Sequence, residues 1–413
     1  MAGENRITGI DIGTTKVCTV IADVGHGGVL KILGVGTSRS EGVKRGAVVN
    51  VEKTVEAIAR SVDEAERMAD VKVDEAYVGI AGAHIQGVTS PAVIAVSRSE
   101  DEITAGDVER VLEQARAIAI PSDRRVLHVL PLEFAVDDQD GIRNPVGMSG
   151  VRLETEVHII TAAATSARNV EKCVRRAGVE VKELVLESLA AGCAVLEEDE
   201  RELGVVLVDI GGGTTDFTVF LNGSLRSTAS IGLGGENVSA DIAIGLRTPL
   251  GEAEALKVHY GHAIASEAAG NRQIEVPGIG GRADRTISHQ VLCSIIESRM
   301  AEILELAARE ARRTDLFDFL GGGVVVTGGT AEMPGVPEMA EALFEMPVKI
   351  GKPRGMTGLS DEVNDARFST TVGLVRYGSE REVRRHARMV PSVRAGNGIL
   401  RMGHWLKAVV NQF

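Results

Sequence analysis

LGVVLVDIGGGTTDFTVFL, residues 203–221, is the stretch from which the rest of the chain can be read. The apolar, β-branched run Val205 to Val208 delivers Asp209. Gly211, Gly212, Gly213, Thr214 and Thr215 turn the chain, and Asp216 opens a second apolar run. The pattern predicts a β-hairpin with a phosphate-sized loop at its tip. Glycines let backbone N–H groups converge on an anion with no Cβ in the way, and a carboxylate at a strand end can hold a hydrated Mg²⁺. A Gly-rich turn without a ligand would use the same residues, so a second observation is needed.

The loop occurs twice. Residues 10–24 read IDIGTTKVCTVIADV: a strand, Asp11, then Gly13, Thr14, Thr15, Lys16 and a second apolar strand. Aligning Asp11 with Asp209 and allowing two residues of insertion pairs Thr14-Thr15 with Thr214-Thr215. Two such hairpins, one per half of the chain, imply a duplicated α/β unit with nucleotide phosphates clamped between the halves. On these residues the sequence resembles the actin/Hsp70/sugar-kinase ATPase superfamily. That resemblance implies an α/β, actin-like two-lobed ATPase fold of duplicated ribonuclease H-like units. It makes ATP and Mg²⁺ the expected ligands, with Asp11 and Asp209 on the hydrated ion and Gly13 to Lys16 and Gly211 to Thr214 on the phosphates.

Composition allows substantial cores in two large lobes. The chain has 413 residues, 44% of them hydrophobic, with 48 glycines and a net charge of −13. An acidic chain without clustered Lys/Arg is a poor nucleic-acid binder, and 3% aromatic residues give few stacking platforms. Cys18, Cys173, Cys193 and Cys293 show no metal-ligand spacing and read as buried thiols in a reducing compartment. With neither a leader-like start nor an uninterrupted apolar span, the sequence predicts a cytoplasmic protein.

In chain order, residues 6–37 predict three antiparallel strands, followed by a helix behind Asn50 and a strand over 75–81. Residues 84–164 depart from this pattern with strand-like stretches at 92–96, 125–136 and 156–163, one helix from Thr104 and a Gly/Pro-punctuated segment. They predict a small inserted α+β subdomain, in which His128 reads as structural. A helix from Ala167, a strand over 179–186 and a small-residue helix over 188–196 lead to the second hairpin. Glu187, at the start of that last helix, stands where superfamily members carry a residue that orients the attacking water, with Glu183 as a competing candidate. Gly235 opens a further helix. Glu254 and Lys257 share a face of the next, and the superfamily resemblance places them on the ribose and adenine. A helix over 288–313, with Val291, Ile295, Met300, Ile303 and Leu306 on its apolar side, precedes GGVVVTGGTAEMPG, residues 322–335. There Gly328 and Gly329 match the superfamily's adenosine motif. Residues 369–378 resemble a second interlobe helix, residues 379–396 read as an unpatterned basic linker, and 398–413 as an amphipathic helix.

The inserted stretch RVLHVLPLEFAVDDQDGIRNPVGMSGVRLETEVHII, residues 125–160, is similar to the characteristic 1C subdomain of the FtsA family of actin-like division proteins. The likeness runs over essentially the whole chain. It implies subdomain 1A at 1–83, completed by 165–196 and 360–378, and 1C at 84–164. Subdomain 2A would be 197–227, completed by 301–359, with 2B at 228–300, a linker at 379–396 and a membrane-targeting helix at 397–413. It implies a protein that binds ATP with at most slow turnover, polymerises with itself on the inner face of the cytoplasmic membrane and recruits other division proteins through 1C. It would also hold the C-terminal peptide of the tubulin-like FtsZ on 2B, where Arg282, Arg285 and Arg299 offer basic anchors. On a helix at about 100° per residue, Ile399, Met402, Trp405, Leu406, Val409 and Phe413 fall on one side, as in a helix lying on anionic lipid. The rival readings are a PilM-like scaffold, which shares the inserted module, and a soluble sugar-kinase-like phosphotransferase, for which no acceptor-activating Asp stands out.

Overall fold

The computed structural model describes residues 6–25, 28–96, 102–268 and 272–389. β1 (Arg6–Ile12), β2 (Lys16–Val24) and β3 (Leu30–Arg39) form an antiparallel meander. Two short strands, β4 (Val43–Lys44) and β5 (Ala47–Val48), lead into α1 (Val51–Ala69). The Asn50 side chain accepts the Lys53 N–H at 3.1 Å, satisfying a donor that a helix start leaves free. Ala57, Ile58, Val62 and Ala65 turn the apolar face of α1 onto the meander, and β6 (Glu75–Ile80) then joins β1 in parallel.

Next comes the inserted module: β7 (Gln86–Ala95), α2 (Ala105–Arg116), β8 (Arg124–Val136), β9 (Gln139–Ile142) and β10 (Arg152–Ala163). Its sheet, in the order β7-β10-β8-β9, has its own core around Phe134, Leu153, Val157 and Ile159. α3 (Ala164–Arg176) returns the chain to the first lobe, β11 (Glu180–Leu186) adds to the free edge of β6, and α4 (Glu187–Val195) follows.

After the short α5 (Glu198–Leu203), the second lobe repeats the plan with β12 (Val205–Ile210), β13 (Thr215–Leu221) and β14 (Ser224–Ile231). α6 (Gly235–Leu246), α7 (Leu250–Tyr260), the hairpin of β15 (Gln273–Val276) and β16 (Arg285–Ser288), and α8 (His289–Arg312) come next. β17 (Val324–Thr327), α9 (Val336–Phe344) and β18 (Val348–Ile350) complete this lobe in parallel with β12. β19 (Met356–Gly358) crosses back to pair with β3, and α10 (Ser369–Met389) packs on the first sheet. The sheets run β11-β6-β1-β2-β3-β19 and β14-β13-β12-β17-β18, each a meander extended by parallel strands. This is the duplicated ribonuclease H-like plan.

The continuous apolar run that precedes Asp209 has a packing cause. Val205 and Leu207 of β12 enter the first-lobe core, while Val206, Val208 and Ile210 enter the second-lobe core. A strand covered on both faces has no polar side to alternate with. Between the lobes lies α4, with Ser188 to Val195 all buried, crossed by α10 at Gly373.

Several expectations are corrected. The two hairpins align without an insertion. Ile12↔Val17 and Ile210↔Thr215 flank loops of equal length, 13–16 and 211–214, so Lys16 corresponds to Thr214 and Cys18 to Asp216. α8 buries Leu292, Cys293, Ile296, Met300 and Ile303, whereas Val291 is 47% exposed, because its stripe is set by contact with α6 and β13. β14 and β16 are strands that the sequence pattern does not show. The segment from residue 379 is helical through Met389, not an unpatterned linker. Its contacts with the body are polar and leave no apolar periodicity: Tyr77 Oη donates to Glu382 at 3.1 Å, and the Arg381 guanidinium pairs with Glu183 of β11 at 3.5 Å.

A Cβ at position 373 would fall inside the Ala190 carbonyl, so Gly373→Ala forces α4 and α10 apart. We expect a loss of about 1–3 kcal/mol in thermal or urea denaturation. The control Gly251→Ala, on the exposed start of α7 with open space around it, should change stability by less than about 1 kcal/mol. Equal melting points for Gly373→Ala and the parent would contradict this packing.

Candidate functional site

The two hairpin tips face each other. The space a Cβ would need at Gly213 is taken by Thr14, and at Gly212 by Thr15. Only bare α-carbons let the loops come this close. Each tip leaves a strand that carries an acid, Asp11 on β1 and Asp209 on β12, at the carboxyl ends of the parallel strands where α/β folds build their sites. Glu187 enters from the end of β11.

Asp216, cross-strand from Asp209, was not among the expected site residues. Its signal was the second acid of DIGGGTTD, which spacing alone shows only as the opening of the next strand. Asp11, Asp209 and Asp216 are buried, and burial raises their carboxyls to about 6, about 7 and about 6 respectively. Lys16 partly offsets the rise at Asp11, while the charge of Asp216 adds to it at Asp209. Glu187, partly exposed, is raised well above the usual carboxylate range by withdrawal from solvent and by the three aspartates.

Like charges gathered out of water favour whatever cation enters. Among the described residues no three acidic, His or Cys side chains are close enough to ligate an ion directly. The arrangement therefore fits a hydrated dication, with the carboxylates reaching it through water.

A strap from the C-terminal third of the chain ties these parts together. Thr370 Oγ1 donates to Asp209 Oδ2 at 3.1 Å, and the hydroxyls of Ser369 and Thr327 lie 2.7 Å apart. Lys16 Nζ donates to the Arg367 carbonyl at 2.6 Å and sits 4.1 Å over the Phe368 ring, so it leans on the strap. Gly328, at φ 88°, packs its α-carbon against the Asp209 carboxylate, and Gly329 beside it faces Arg367. Thr330 Oγ1 donates to the Gly211 carbonyl at 3.0 Å. No spacing argument reaches Thr330 or Thr370, because they come to the site through the fold.

The expected nucleoside residues also converge here. The Gly235 N–H donates to the Gly211 carbonyl at 3.0 Å, and the Glu236 N–H to the Gly212 carbonyl at 2.7 Å. Lys257 Nζ donates to the Gly235 carbonyl at 3.1 Å and to Glu254 Oε2 at 2.7 Å, and Ser239 also bonds Glu254. Glu183 does not reach the site; it accepts from Tyr377 Oη at 2.6 Å. His128 is structural, as expected: it is buried and accepts the Leu186 N–H.

Arg282 and Arg285 are exposed on the β15–β16 hairpin. Arg299 is not a free anchor, because Asp241 at 2.6 Å and Glu302 hold its guanidinium. The helix expected at 397–413, with Ile399, Met402, Trp405, Leu406, Val409 and Phe413, lies outside the described residues. Among the described residues no helix is long and apolar enough to cross a membrane.

Two ribonuclease H-like units with glycine-rich hairpins opposed across a junction make this a protein of the actin-like fold. Solved structures agree: the PilM-PilN type IV pilus biogenesis complex matches at TM-score 0.63 and 14% identity over 90% of this chain and 98% of that one. MreB5 of Spiroplasma citri bound to ADP matches at TM-score 0.56 and 15% identity over 94% and 99%. The family model "Cell division protein FtsA" matches residues 206–373, and "SHS2 domain inserted in FTSA" matches 82–161. Cell division protein FtsA of Pseudomonas aeruginosa is 46% identical over 91% of this chain and 90% of its own length. That of Escherichia coli is 40% identical over 97% of each. The chain belongs to the FtsA family of cell division proteins.

The raised acids fix a pH dependence. Between the unfolded value of 3.8 and about 7, folded Asp209 keeps a proton that the unfolded chain has released, so stability falls as pH rises through that window. In EDTA, the melting temperature should drop from about pH 5 to about pH 8. Asp209→Asn should flatten the drop and stabilise the protein at the upper end by on the order of 2–4 kcal/mol. A wild-type melting temperature that rises over this range would contradict the electrostatics.

Proposed function

We propose that the chain binds Mg²⁺-ATP between its lobes and works as an actin-like filament on the inner face of the cytoplasmic membrane, tethering FtsZ filaments and recruiting later division proteins. The observation that carries the nucleotide reading is the meeting of Gly212-Gly213 with Thr14-Thr15 above Asp11, Asp209 and Asp216. Loop N–H groups supply phosphate donors, and the carboxylates supply the charge that a hydrated Mg²⁺ neutralises. Gly235, Glu254, Lys257, Gly328 and Gly329 border the same junction and would hold the nucleoside. The MreB5 neighbour was solved with ADP and with AMPPNP, which suits this reading. Asp11, Asp209 and Asp216 would hold Mg²⁺ through water, and the ion would supply positive charge to neutralise what develops on the leaving phosphate oxygens. Glu187 would orient a water, a weak arrangement that keeps turnover slow.

Membership of the division family supports the cellular role. The first lobe would hold 1A at 1–83, 165–196 and 360–378 with 1C at 84–164, and α10 would extend it to Met389. The second would hold 2A at 197–227 and 301–359 with 2B at 228–300. FtsZ would bind at 2B through Arg282 and Arg285, whose positive charge stands out on an acidic chain. Residues 397–413 would lie on anionic lipid, with the basic residues of 379–396 beside it. Their basic and apolar composition suits the interface, at about 1 kcal/mol for each basic residue near the surface. Each helix is a marginal anchor, so filaments should bind cooperatively.

Calorimetric titration tests the core of the proposal. Asp209→Ala should weaken Mg²⁺-ATP binding by at least about 100-fold while circular dichroism stays that of the parent. Unchanged affinity would overturn the site. The two surface contacts are separable from it. Arg282→Glu with Arg285→Glu should abolish binding of an FtsZ C-terminal peptide, and truncation after Gly396 should abolish sedimentation with phosphatidylglycerol vesicles. Both variants should still bind nucleotide.

A further inference from the structure

One imidazole joins three elements that the nucleotide reading leaves separate. His128 lies on β8 of the inserted module, 2% exposed, and its Nε2 accepts the Leu186 backbone N–H at 3.0 Å. β11 is the edge strand of the six-stranded sheet, so its outward N–H groups have no strand partner. A side chain from the inserted module provides one at Leu186. Leu186 is the last residue before Glu187, the acid that faces Asp11, Asp209 and Asp216. The imidazole also stands edge-on to Tyr377 of α10, at 5.9 Å between ring centres, and Tyr377 in turn bonds Glu183 of β11.

His128 is expensive for a packing residue. Accepting at Nε2 puts the ring proton on Nδ1, which is buried with no hydrogen-bond partner. An orphaned buried donor costs about 1–3 kcal/mol, which an apolar side chain of similar size would avoid. What His128 provides and an apolar side chain cannot is the acceptor for Leu186. Burial holds the ring neutral, with its pKa pushed down to about 3, so that acceptor persists at every physiological pH.

We propose that His128 is a positioning residue. It fixes the strand end from which Glu187 projects, so the seating of the water-orienting carboxylate depends on the inserted module staying docked against β11. This rests on the reading that Glu187 serves ATP hydrolysis. A partner that turned the module away from β11 would withdraw the acceptor and slow turnover without touching a nucleotide contact.

The test uses the full chain with His128→Leu, which fills the space but cannot accept, and His128→Gln, which keeps an acceptor. Hydrogen exchange at the Leu186 amide, Mg²⁺-ATP affinity and the single-turnover rate of bound, radiolabelled ATP are measured for each. In His128→Leu the amide should exchange faster and the hydrolysis rate should fall about 10-fold or more, with affinity within about twofold of the parent. His128→Gln should recover most of the rate. A residue that only stabilised the fold would shift affinity and melting temperature together and leave the rate of bound ATP alone. The proposal is overturned if His128→Leu hydrolyses bound ATP at the parental rate, or if the parent binds ATP and never cleaves it. A parent that binds no nucleotide overturns the functional reading instead, and the titration shows this before any variant is compared.

Discussion

Asp11, Asp209 and Asp216 are buried together with Glu187 beside them, and the free-energy cost of that arrangement constrains the elements around it. Asp11 and Asp209 sit near the carboxyl ends of β1 and β12, Asp216 at the start of β13 and Glu187 at the start of α4, each held there by backbone pairing it cannot escape. The carboxylates repel one another, yet β12 is locked between two cores and α4 is enclosed along its length. The fold can bear this strain because two large apolar cores, not the site, supply its stability. A cation would turn the same repulsion into attraction, so any affinity for an ion and the instability without one would have one origin.

The hydroxyls around the acids show how tightly the geometry is specified. Thr370 fixes one oxygen of Asp209, the bare Gly328 makes room for the other, and Ser369 ties the strap to the end of β17. These residues come from the last quarter of the chain, while the acid they orient lies near its middle. Closing the site therefore requires β19 and α10 to return to the first lobe. The topology that looks like a detour is what brings the hydroxyls to Asp209.

Legibility in the sequence followed the physics of each part. The hairpins were readable because Gly, Thr and Asp at strand ends have few other reasons to recur, and α1 because its cap and apolar stripe are local. Asp216 was legible only as the opening of the second strand, because its place beside Asp209 follows from cross-strand pairing and not from spacing. β14 stayed hidden because its small polar residues face the inserted module, where Ser224 donates to the Leu132 carbonyl and Arg226 meets Glu133. The second half of α10 stayed hidden because Tyr, Arg and Glu contacts carry no hydrophobic period. Burial by polar partners is invisible to a pattern that counts apolar residues.

α10 is also a rigid rod of 21 residues, about 30 Å long. Its first turn bonds Asp209 beside the glycine-rich hairpin tips, and its far end is Met389. A rotation of about 5° about the first turn would sweep the far end through about 2.5 Å, roughly the rise of two residues. Leverage of that kind needs no relay of contacts. A displacement too small to break one hydrogen bond at the acids would be felt along the helix at the bonds of Glu382 to Tyr77 and of Arg381 to Glu183.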